Sequence, residues 1–297
     1  MEYIEIFGKQ VPLKSHYCSL FSQSSLEVTE PYINLYVRTK FCNASCKFCT
    51  YASDAQKYSS DKLKEILEEL VPKIKIRKFA ISGGEPTLYW DNFINIVDHW
   101  REYTPTSELS LNTDGFRWEK LFTDPVYKDF DYIQLSRHHY NDEINDEIFG
   151  CKTPTSEQIK WAAGLQTSPH QIQFRCNLIK GYIDNRDEVF NYLKWANNLD
   201  INDIGLVSLM PINDYSKDNF IYFHIKELLG TDFMLTKEFR KYGGGCECFN
   251  YVYMPEEDFR RPIRVYHKNT YEPSSTIDTL VFDGINLRIG YDGEILY

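Results

Sequence analysis

The sequence predicts an α/β fold, namely a partial, TIM-like (β/α)6 barrel followed by a small α+β C-terminal extension. Between residues 33 and 211, short apolar segments alternate with longer amphipathic ones. Successive strand starts lie roughly 25–45 residues apart, which suits βα units joined by right-handed crossovers. Six such units form a parallel sheet, but eight are needed to close a barrel of this kind. We therefore expect a curved, partly open barrel.

Short apolar runs predict the strands, and apolar residues at three- and four-residue spacing predict the helices. The strand segments are Ile33–Arg38, Lys78–Ser82, Leu109–Asn112, Tyr132–Ser136, Ile172–Ile179 and Ile204–Leu209. Ser60 is the expected N-cap of the first helix. The apolar face of that helix comprises Leu63, Ile66, Leu67, Leu70 and Val71. Further helices are predicted around Phe93–Trp100, Ser156–Leu165 and Asp187–Asn198.

Three regions follow from this pattern. Residues 31–211 form the barrel, residues 1–30 an N-terminal extension, and residues 212–297 a C-terminal α+β extension that we expect to cover the substrate cavity. In the last region, a helix over 220–229 and a glycine break at 243–245 precede β-rich segments. Those segments are Phe249–Met254, Ile263–His267, Leu280–Phe282 and Leu287–Tyr291, with a hairpin at Asp292-Gly293.

The charge balance excludes several classes of partner. The 297 residues include 33 basic and 43 acidic side chains, giving a formal net charge of −10. An acidic surface disfavours non-specific binding to nucleic acid or to anionic membranes. No apolar run approaches the ~20 residues that span a bilayer, and the first residues lack the features of a signal peptide. We therefore expect a cytoplasmic protein without a membrane or nucleic-acid partner.

Three of the eight cysteines form a cluster in the sequence. Cys42, Cys46 and Cys49 have the spacing C-x3-C-x2-C and follow the first predicted strand. At this cysteine content, chance would give roughly 0.006 such triplets. Without an export signal a metal or redox role is favoured over disulfides. The thiolates suit an iron–sulfur cluster with one open iron, or zinc with a fourth ligand such as Cys18 or His16.

The triplet, with Phe48 before its last cysteine, resembles the signature loop of the radical S-adenosylmethionine (radical SAM) superfamily. Three further motifs follow in the superfamily's order, each at the end of a predicted strand. SGGEP at 82–86 resembles the GGE motif, and LNTDG at 111–115 resembles a "TNTNG"-like strand end. QLSR at 134–137 resembles the strand that contacts ribose and carboxylate. The resemblance covers roughly residues 30–211.

The resemblance implies that Cys42, Cys46 and Cys49 hold a [4Fe–4S] cluster whose open iron is chelated by S-adenosylmethionine. One electron, from a flavodoxin- or ferredoxin-type donor, would cleave the cofactor to a 5′-deoxyadenosyl radical. That radical would abstract a hydrogen atom from substrate. The protein is thus expected to be an oxygen-sensitive enzyme in which the cofactors perform the difficult chemistry and the chain places them.

The GGE-like motif is expected to approach the methionine moiety of the cofactor. Gly83 and Gly84 lack side chains, so their backbone can come close. Glu85 accepts a hydrogen bond or anchors the loop. The alternative for this motif is an ordinary strand-to-helix turn.

Four other residues are expected at the cofactor. Asn112 and Ser136 would bond a ribose hydroxyl or the carboxylate, unless they only cap their strand ends. Arg137 would pair with the carboxylate, unless it forms an ion pair with one of the acids at 142–147. Phe48 would pack on the adenine ring, unless it belongs to the core.

Catalytic residues beyond the cofactors are weakly indicated. His138 and His139 suggest proton transfer, although loop histidines are usually solvated. Cys246 and Cys248 suggest a hydrogen-atom donor or a thiol on the substrate side. We expect no auxiliary cluster, because the cysteines that would follow the terminal hairpin are missing from the sequence. Cys151 and Cys176 are the remaining distant thiols.

Within the superfamily, Phe7-Gly8-Lys9 and the strand before the triplet resemble the subgroup of molybdenum-cofactor GTP cyclases and peptide-modifying enzymes. The sequence lacks the cyclase's three-cysteine C-terminal cluster and glycine-rich tail. We expect hydrogen abstraction from a small molecule of a natural-product, nucleotide or cofactor pathway. The alternatives are modification of a peptide or protein, and a non-catalytic metal-binding module with the same fold.

Overall fold

The computed structural model describes residues 2–13, 32–49, 58–221, 233–237, 247–253, 261–269, 279–290 and 293–297. The strands are β1 (Glu2–Ile6), β2 (Lys9–Leu13), β3 (Tyr32–Thr39), β4 (Lys75–Gly83), β5 (Glu108–Thr113), β6 (Tyr132–Ser136), β7 (Ile172–Leu178), β8 (Asp203–Ser208), β9 (Phe233–Lys237), β10 (Glu247–Tyr253), β11 (Ile263–Asn269), β12 (Thr279–Phe282) and β13 (Leu287–Ile289). The helices are α1 (Ser60–Leu70), α2 (Trp90–Tyr103), α3 (Trp118–Thr123), α4 (Asp142–Phe149), α5 (Ser156–Ala163), α6 (Arg186–Asn198) and α7 (Asp214–Asp218).

Six parallel strands form the centre of the sheet in the order β3-β4-β5-β6-β7-β8. Their spatial order equals their order in the chain, as successive right-handed βα units require. Each predicted strand lies within two or three residues of its observed bounds. The predicted α/β class and the partial (β/α)6 arrangement are therefore confirmed.

The first helix differs from its prediction at both ends. Ser59, one residue before the expected Ser60, is the N-cap, and its side chain accepts a hydrogen bond from the backbone N–H of Lys62 (3.3 Å). Ser60 instead bonds His99 Nε2 (2.8 Å). Val71, expected on the apolar face, is 39% exposed beyond the last turn.

The two faces of the sheet differ in chemistry because successive side chains of a strand point in opposite directions. One face packs on the helices with fully buried apolar residues such as Leu35, Phe79, Leu111, Leu135 and Phe174. On the other face lie Ser82, Asn112, Ser136, Arg175 and Asn177, all of which line one cavity. TIM barrels usually fill this interior with bulky branched side chains. Here the interior is polar, which leaves room for polar ligands.

The C-terminal region lengthens the sheet at both edges. β11 pairs with β8 and β12 pairs with β3, both in parallel. β10 and β9 continue beyond β11, and β13 beyond β12, in antiparallel pairing. The predicted α+β extension thus supplies strands to the barrel sheet. Residues 222–229 of the predicted helix, the glycine break and Asp292 lie outside the described residues.

An N-terminal hairpin joins the C-terminal end of the chain. Phe7 and Gly8 form its two-residue turn with φ of 49° and 73°, the left-handed values that such hairpins favour. The Phe7 ring stacks on Tyr297 with centroids 4.4 Å apart. Lys9 Nζ lies 2.7 Å from the Glu294 carboxylate. Across the described ranges, no helix combines the length and the hydropathy needed to span a bilayer.

Candidate functional site

A cavity of about 250 Å³ lies at the carboxyl ends of the central strands. Its wall brings together most of the residues predicted from the sequence. Those residues are Cys42, Cys46, Phe48, Cys49, Gly83, Gly84, Asn112, Ser136 and His138. Three predicted residues do not line the cavity and are buried beside it, namely Glu85, Arg137 and His139. Asp114, Phe149, Arg175 and Asn177 complete much of the lining.

The loop that carries the triplet is tied to its surroundings by backbone groups. The N–H of Ser45 donates to the carbonyl oxygen of Phe149 at the end of α4 (2.8 Å). Side chains of α7 and its N-cap reach the carbonyl oxygens of Lys47 and Phe48, from Asn213 (3.1 Å) and Ser216 (3.3 Å) respectively. The positions of the thiols are thus set by two helices.

The three thiols are chemically suited to a soft metal centre. Burial raises the pKa of Cys42 to about 11, and it also raises the pKa of Cys46 and Cys49. The thiols are therefore protonated at neutral pH, and a metal centre must displace these protons to bind. Three soft sulfur ligands on one cavity wall fit an iron–sulfur cluster. Within the described ranges, no three side chains of His, Cys, Asp or Glu converge on a single-ion site.

A fourth thiol lies near the triplet, contrary to expectation. The amide nitrogen of Asn43 donates to Cys151 Sγ (3.3 Å), and Cys151 interacts electrostatically with Cys42 and Cys46. Cys151 is therefore not a distant residue. The loop between α4 and α5 brings it back, which no local pattern indicates. Cys176 is buried in β7, as expected for an inert thiol.

The paired glycines are required by a close approach of two loops. A Cβ on Gly83 would lie 2.1 Å from the carbonyl oxygen of Thr39, and one on Gly84 would lie 2.0 Å from that of Phe41. Gly83 also has a φ of 116°, which L side chains rarely adopt. The N–H of Gly84 donates to Thr39 (2.6 Å). These contacts fix the GGE-like turn against the start of the cysteine loop.

Glu85 serves as the anchor of this turn. Its carboxylate accepts hydrogen bonds from the N–H of Thr87 (2.8 Å), the hydroxyl of Thr113 (2.8 Å) and the N–H of Asp114 (2.7 Å). The side chain is only 1% exposed. Of the two roles expected for Glu85, the structure shows the anchoring one, which joins the end of β4 to the end of β5.

Asp114 is a cavity residue that the sequence analysis did not single out. One of its oxygens accepts from the N–H of Phe116 (2.8 Å). Burial, together with the charge of Glu85, raises the pKa of the Asp114 carboxyl well above its usual range. The signal was present in LNTDG, where an aspartate stands at the second asparagine of the "TNTNG"-like pattern.

Arg137 does not reach the cavity. Its Nε donates to the carbonyl oxygen of His139 (2.8 Å) and its Nη1 to that of Pro154 (2.9 Å). Nη2 is paired with Asp142, and the guanidinium lies over the Trp195 ring (5.1 Å). The ion pair with an acid at 142–147 is thus the alternative that the structure shows. Arg137 directly follows Ser136, the last residue of β6, so its side chain leaves from the opposite face.

The two histidines are buried, so the expectation of solvated loop histidines is wrong. His138 is 4% exposed and stacks on Phe149 (4.8 Å between centroids), and its Nδ1 accepts from the N–H of Asn177 (3.1 Å). Burial lowers its pKa to about 3, and a neutral ring with the proton on Nε2 results. His139 Nδ1 accepts from the N–H of Asn141 (3.0 Å), away from the cavity.

Phe48 contacts both the cavity and the apolar core, the two environments expected for it. Its ring lines the cavity and meets His138 edge-on at 5.2 Å between centroids. It also packs on a small apolar cluster of Ile148, Ile179 and Leu209. Asn112 and Ser136 line the cavity at the ends of β5 and β6. Cys18, His16 and Cys246 lie outside the described residues, and Cys248 lies in β10 opposite Lys268.

Residues 36–165 match the family model of the Radical SAM superfamily. This part of the chain is a radical SAM domain. The family inferred from the four motifs is confirmed, and with it the cofactors of the superfamily, a [4Fe–4S] cluster and S-adenosylmethionine. The matched residues include the cysteine triplet, the GGE-like turn, and the ends of β5 and β6.

Relatives of the radical SAM domain include GTP cyclases. A probable GTP 3′,8-cyclase of Saccharolobus islandicus is 30% identical over 182 residues, covering 59% of this chain and 56% of the relative. A GTP 3′,8-cyclase of Trichodesmium erythraeum is 24% identical over 198 residues, covering 63% and 59%. The chain spans less than three-fifths of the length of these relatives.

Two solved structures share the fold. Streptococcus suis SuiB bound to its precursor peptide SuiA superposes with a TM-score of 0.51 at 16% identity, covering 64% of this chain and 42% of SuiB. Escherichia coli coproporphyrinogen III oxidase (HemN), a radical SAM enzyme, gives 0.50 at 17% identity, covering 67% and 50%. At these identities the likeness concerns the fold of the radical SAM domain alone.

Proposed function

We propose that this protein is a radical SAM enzyme that abstracts a hydrogen atom from a small polar molecule of a natural-product, nucleotide or cofactor pathway. One observation carries the proposal. The three thiols, the Gly83–Gly84 strand end and the polar residues Asn112 and Ser136 line a single cavity. These are the parts that must meet if a cluster and S-adenosylmethionine are to act together.

Each part has a role that its chemistry supports. Cys42, Cys46 and Cys49 would hold the cluster through three thiolates, which leaves one iron open to a non-protein ligand. Gly83 and Gly84 offer backbone groups, while Asn112 and Ser136 offer side-chain hydrogen bonds. When bound, the two cofactors supply one-electron cleavage of a sulfonium C–S bond, with methionine and 5′-deoxyadenosine as products and a hydrogen atom taken from substrate.

The chain's own contribution is to bind, orient and exclude water. Phe48, His138 and Phe149 pack ring against ring on one side of the cavity. His138 presents a neutral imidazole, because its Nδ1 already accepts from Asn177. On this side the wall is therefore largely aromatic and carries no formal charge. Such a wall limits the access of water to reactive species.

A polar substrate is favoured over an apolar one by the inner face of the sheet. Ser136, Arg175 and Asn177 line the cavity where other barrels place aliphatic side chains. The electron would come from a flavodoxin- or ferredoxin-type protein. A cytoplasmic location fits the free thiols among the described residues, because cysteines stay reduced there.

The test is anaerobic reconstitution with iron and sulfide, followed by reduction in the presence of S-adenosylmethionine. We expect about four irons per chain and formation of 5′-deoxyadenosine. Replacement of Cys42, Cys46 or Cys49 by alanine should abolish both. The matched control is Cys176→Ala, a buried cysteine away from the cavity, which should retain both. Iron-poor, colourless wild-type protein, or bound zinc, would support the non-catalytic metal-binding alternative.

A further inference from the structure

Arg175 places a positive charge inside the barrel. It lies in the middle of β7 on the inner face and lines the cavity. Its register partners are Ser136 on β6 and Gly205 on β8. The sequence analysis did not single it out, since it lies within a strand that was recognised by its apolar residues.

Among the described residues, the hydrogen-bond partners of the guanidinium are neutral. Its Nη2 donates to Gln173 Oε1 (2.9 Å) and its Nη1 to the carbonyl oxygen of Phe174 (3.2 Å). A guanidinium carries five N–H groups, so most of them make no hydrogen bond to the described residues. Among the carboxylates of the described residues, none forms an ion pair with Arg175.

The acid that acts on Arg175 electrostatically is engaged elsewhere. Asp203, fully buried at the start of β8, accepts from Arg264 Nη2 (2.7 Å) and lies 2.6 Å from His170 Nδ1. Arg175 also interacts electrostatically with the hydroxyl groups of Tyr36 and Tyr266. Arginine remains protonated even when it is buried. Arg175 is therefore a partly buried cation on the cavity wall, and the described residues compensate its charge incompletely. Such a charge is costly without a partner.

The backbone of β8 is shaped to admit this side chain. A Cβ on Gly205 would lie 2.7 Å from Arg175 Nη1 and 2.8 Å from its Cδ. Any larger residue at position 205 would push the arginine away. The glycine thus serves as a groove for the arginine stem, and the guanidinium is held in place rather than free to seek solvent.

Arg175 lies on a different part of the sheet from the thiols and the Gly83–Gly84 turn. The guanidinium turns toward Gln173, which lies two residues nearer the start of β7. By contrast, the thiols and the Gly83–Gly84 turn follow the ends of β3 and β4. In the order β3-β4-β5-β6-β7, the cation therefore lies three strands away from β4, on the β7 side of the cavity.

We propose that Arg175 binds an anionic group of the substrate, a carboxylate or a phosphate, on the β7 side of the cavity. This assignment rests on the proposed function, because it takes the cavity to be the substrate site. The unused N–H groups of the guanidinium can receive two oxygens of one anion in a forked, charge-assisted arrangement. The substrate is thereby oriented with its anionic end toward β7 and the rest of the molecule toward the thiols.

The test uses the reconstituted 297-residue chain and inorganic phosphate as the probe. In wild type, phosphate should raise the melting temperature in a saturable manner, compared with potassium chloride at equal ionic strength. Arg175→Gln should weaken the apparent phosphate affinity at least tenfold. The matched control is Arg117→Gln, because the Arg117 guanidinium bonds the carbonyl oxygen of Leu88 (3.2 Å) outside the cavity. Equal phosphate affinity in wild type and Arg175→Gln would overturn the proposal.

A measurement on wild type alone keeps the proposal testable if the variant fails to fold. Phenylglyoxal modifies accessible guanidinium groups, and peptide mass spectrometry locates the product. Phosphate should slow modification of Arg175 and leave Arg117 unchanged. Equal slowing at both positions, or none at Arg175, would contradict the proposal.

The cofactor's own carboxylate is the competing source of an anion. Under the proposal, Arg175→Gln binds S-adenosylmethionine within about twofold of wild type and still yields 5′-deoxyadenosine on reduction. A tenfold loss of cofactor affinity with unchanged phosphate affinity would assign Arg175 to the cofactor and overturn the substrate role. Failure of the proposed function is distinct, since wild type itself would then form no 5′-deoxyadenosine.

Discussion

Two charged residues beside the same cavity, the buried Glu85 and the partly buried Arg175, have opposite hydrogen-bonding environments. Glu85, behind the end of β4, receives hydrogen bonds from Thr87, Thr113 and Asp114. Arg175, on β7, donates to two neutral oxygens within the part of the chain that the structure describes. A buried charged group whose hydrogen-bonding capacity is filled stabilises the structure. A charged group on a cavity wall with unused hydrogen-bonding capacity is suited to bind a ligand.

We expect the largest effect on the free energy of unfolding when the hydrogen-bond network of Glu85 is removed. Glu85→Ala leaves the N–H groups of Thr87 and Asp114 without their acceptor in a buried place. Loss of one member of a buried charged network costs about 3–5 kcal/mol in the free energy of unfolding. Urea unfolding of the metal-free chain measures this cost. Glu119→Ala, which removes an exposed hydrogen bond to Gln158, is the control and should cost under about 1 kcal/mol.

The two close-packed glycines sharpen the same contrast. Gly84→Ala would force a Cβ against the rigid backbone of Phe41, whereas Gly205→Ala would meet the movable side chain of Arg175. We expect Gly84→Ala to cost about 2–4 kcal/mol and to lower iron content on reconstitution. Gly205→Ala should cost less while weakening phosphate binding. If Gly84→Ala reconstituted normally, the turn would not control the geometry of the cysteine loop.

A pH titration tests the neutral aromatic wall between these two regions. Because burial lowers the pKa of His138 to about 3, the unfolded chain binds a proton that the folded chain refuses between pH 6.5 and 3. Stability should therefore fall with falling pH, by up to about 1.4 kcal/mol per pH unit from this group. His138→Phe should flatten that part of the curve. An identical slope in the variant would show that His138 is protonated while folded.

Arg175→Gln should have a smaller effect on the stability of the metal-free chain than Glu85→Ala. Removing an incompletely compensated cation relieves a desolvation cost while losing two hydrogen bonds to neutral oxygens. We expect a change within about 1.5 kcal/mol of zero in urea unfolding. A loss as large as that of Glu85→Ala would mean that Arg175 is a structural residue, and the contrast drawn here would fail.

The smallest expected effect is that of a charge pair in water. Lys9 and Glu294 join the N-terminal hairpin to the end of the chain, and both side chains are well exposed. Lys9→Met should change the unfolding free energy by less than about 1 kcal/mol, as exposed pairs usually do. A larger change by urea unfolding would indicate that the hairpin is held chiefly by this contact rather than by Phe7 stacking on Tyr297.

Local patterns predicted what is local. The central strands and the helix faces follow from apolar spacing, and the triplet and Gly83–Gly84 follow from motif spacing. Arg137 was placed at the cofactor by its position in a motif, but strand alternation turns it to the other face. Arg175 was missed because β7 was identified from the apolar residues of its outer face. That pattern says nothing about the polar residues that alternate with them on the inner face. Cys151 required a loop path that no periodicity encodes.

Long-range pairing set the second limit. The segments that became β11 and β12 were recognised as strands, yet nothing in either one indicates its partner. β12 aligns Thr279 with Asn34 of β3, and β11 aligns Arg264 with Asp203 of β8. Sheet neighbours that lie far apart in sequence are chosen by the whole fold, so the edges of the barrel sheet could not be predicted locally.

The pairing of β12 with β3 has a consequence for biosynthesis. Thr279 and Asn34 are partners across 279 − 34 = 245 positions of the chain. While a ribosome is still adding the residues between β3 and β12, one edge of β3 has unpaired backbone donors and acceptors. Such an edge can pair with other nascent chains. Folding of the protein should therefore depend on chaperones or on a low expression temperature until β12 emerges and pairs with that edge.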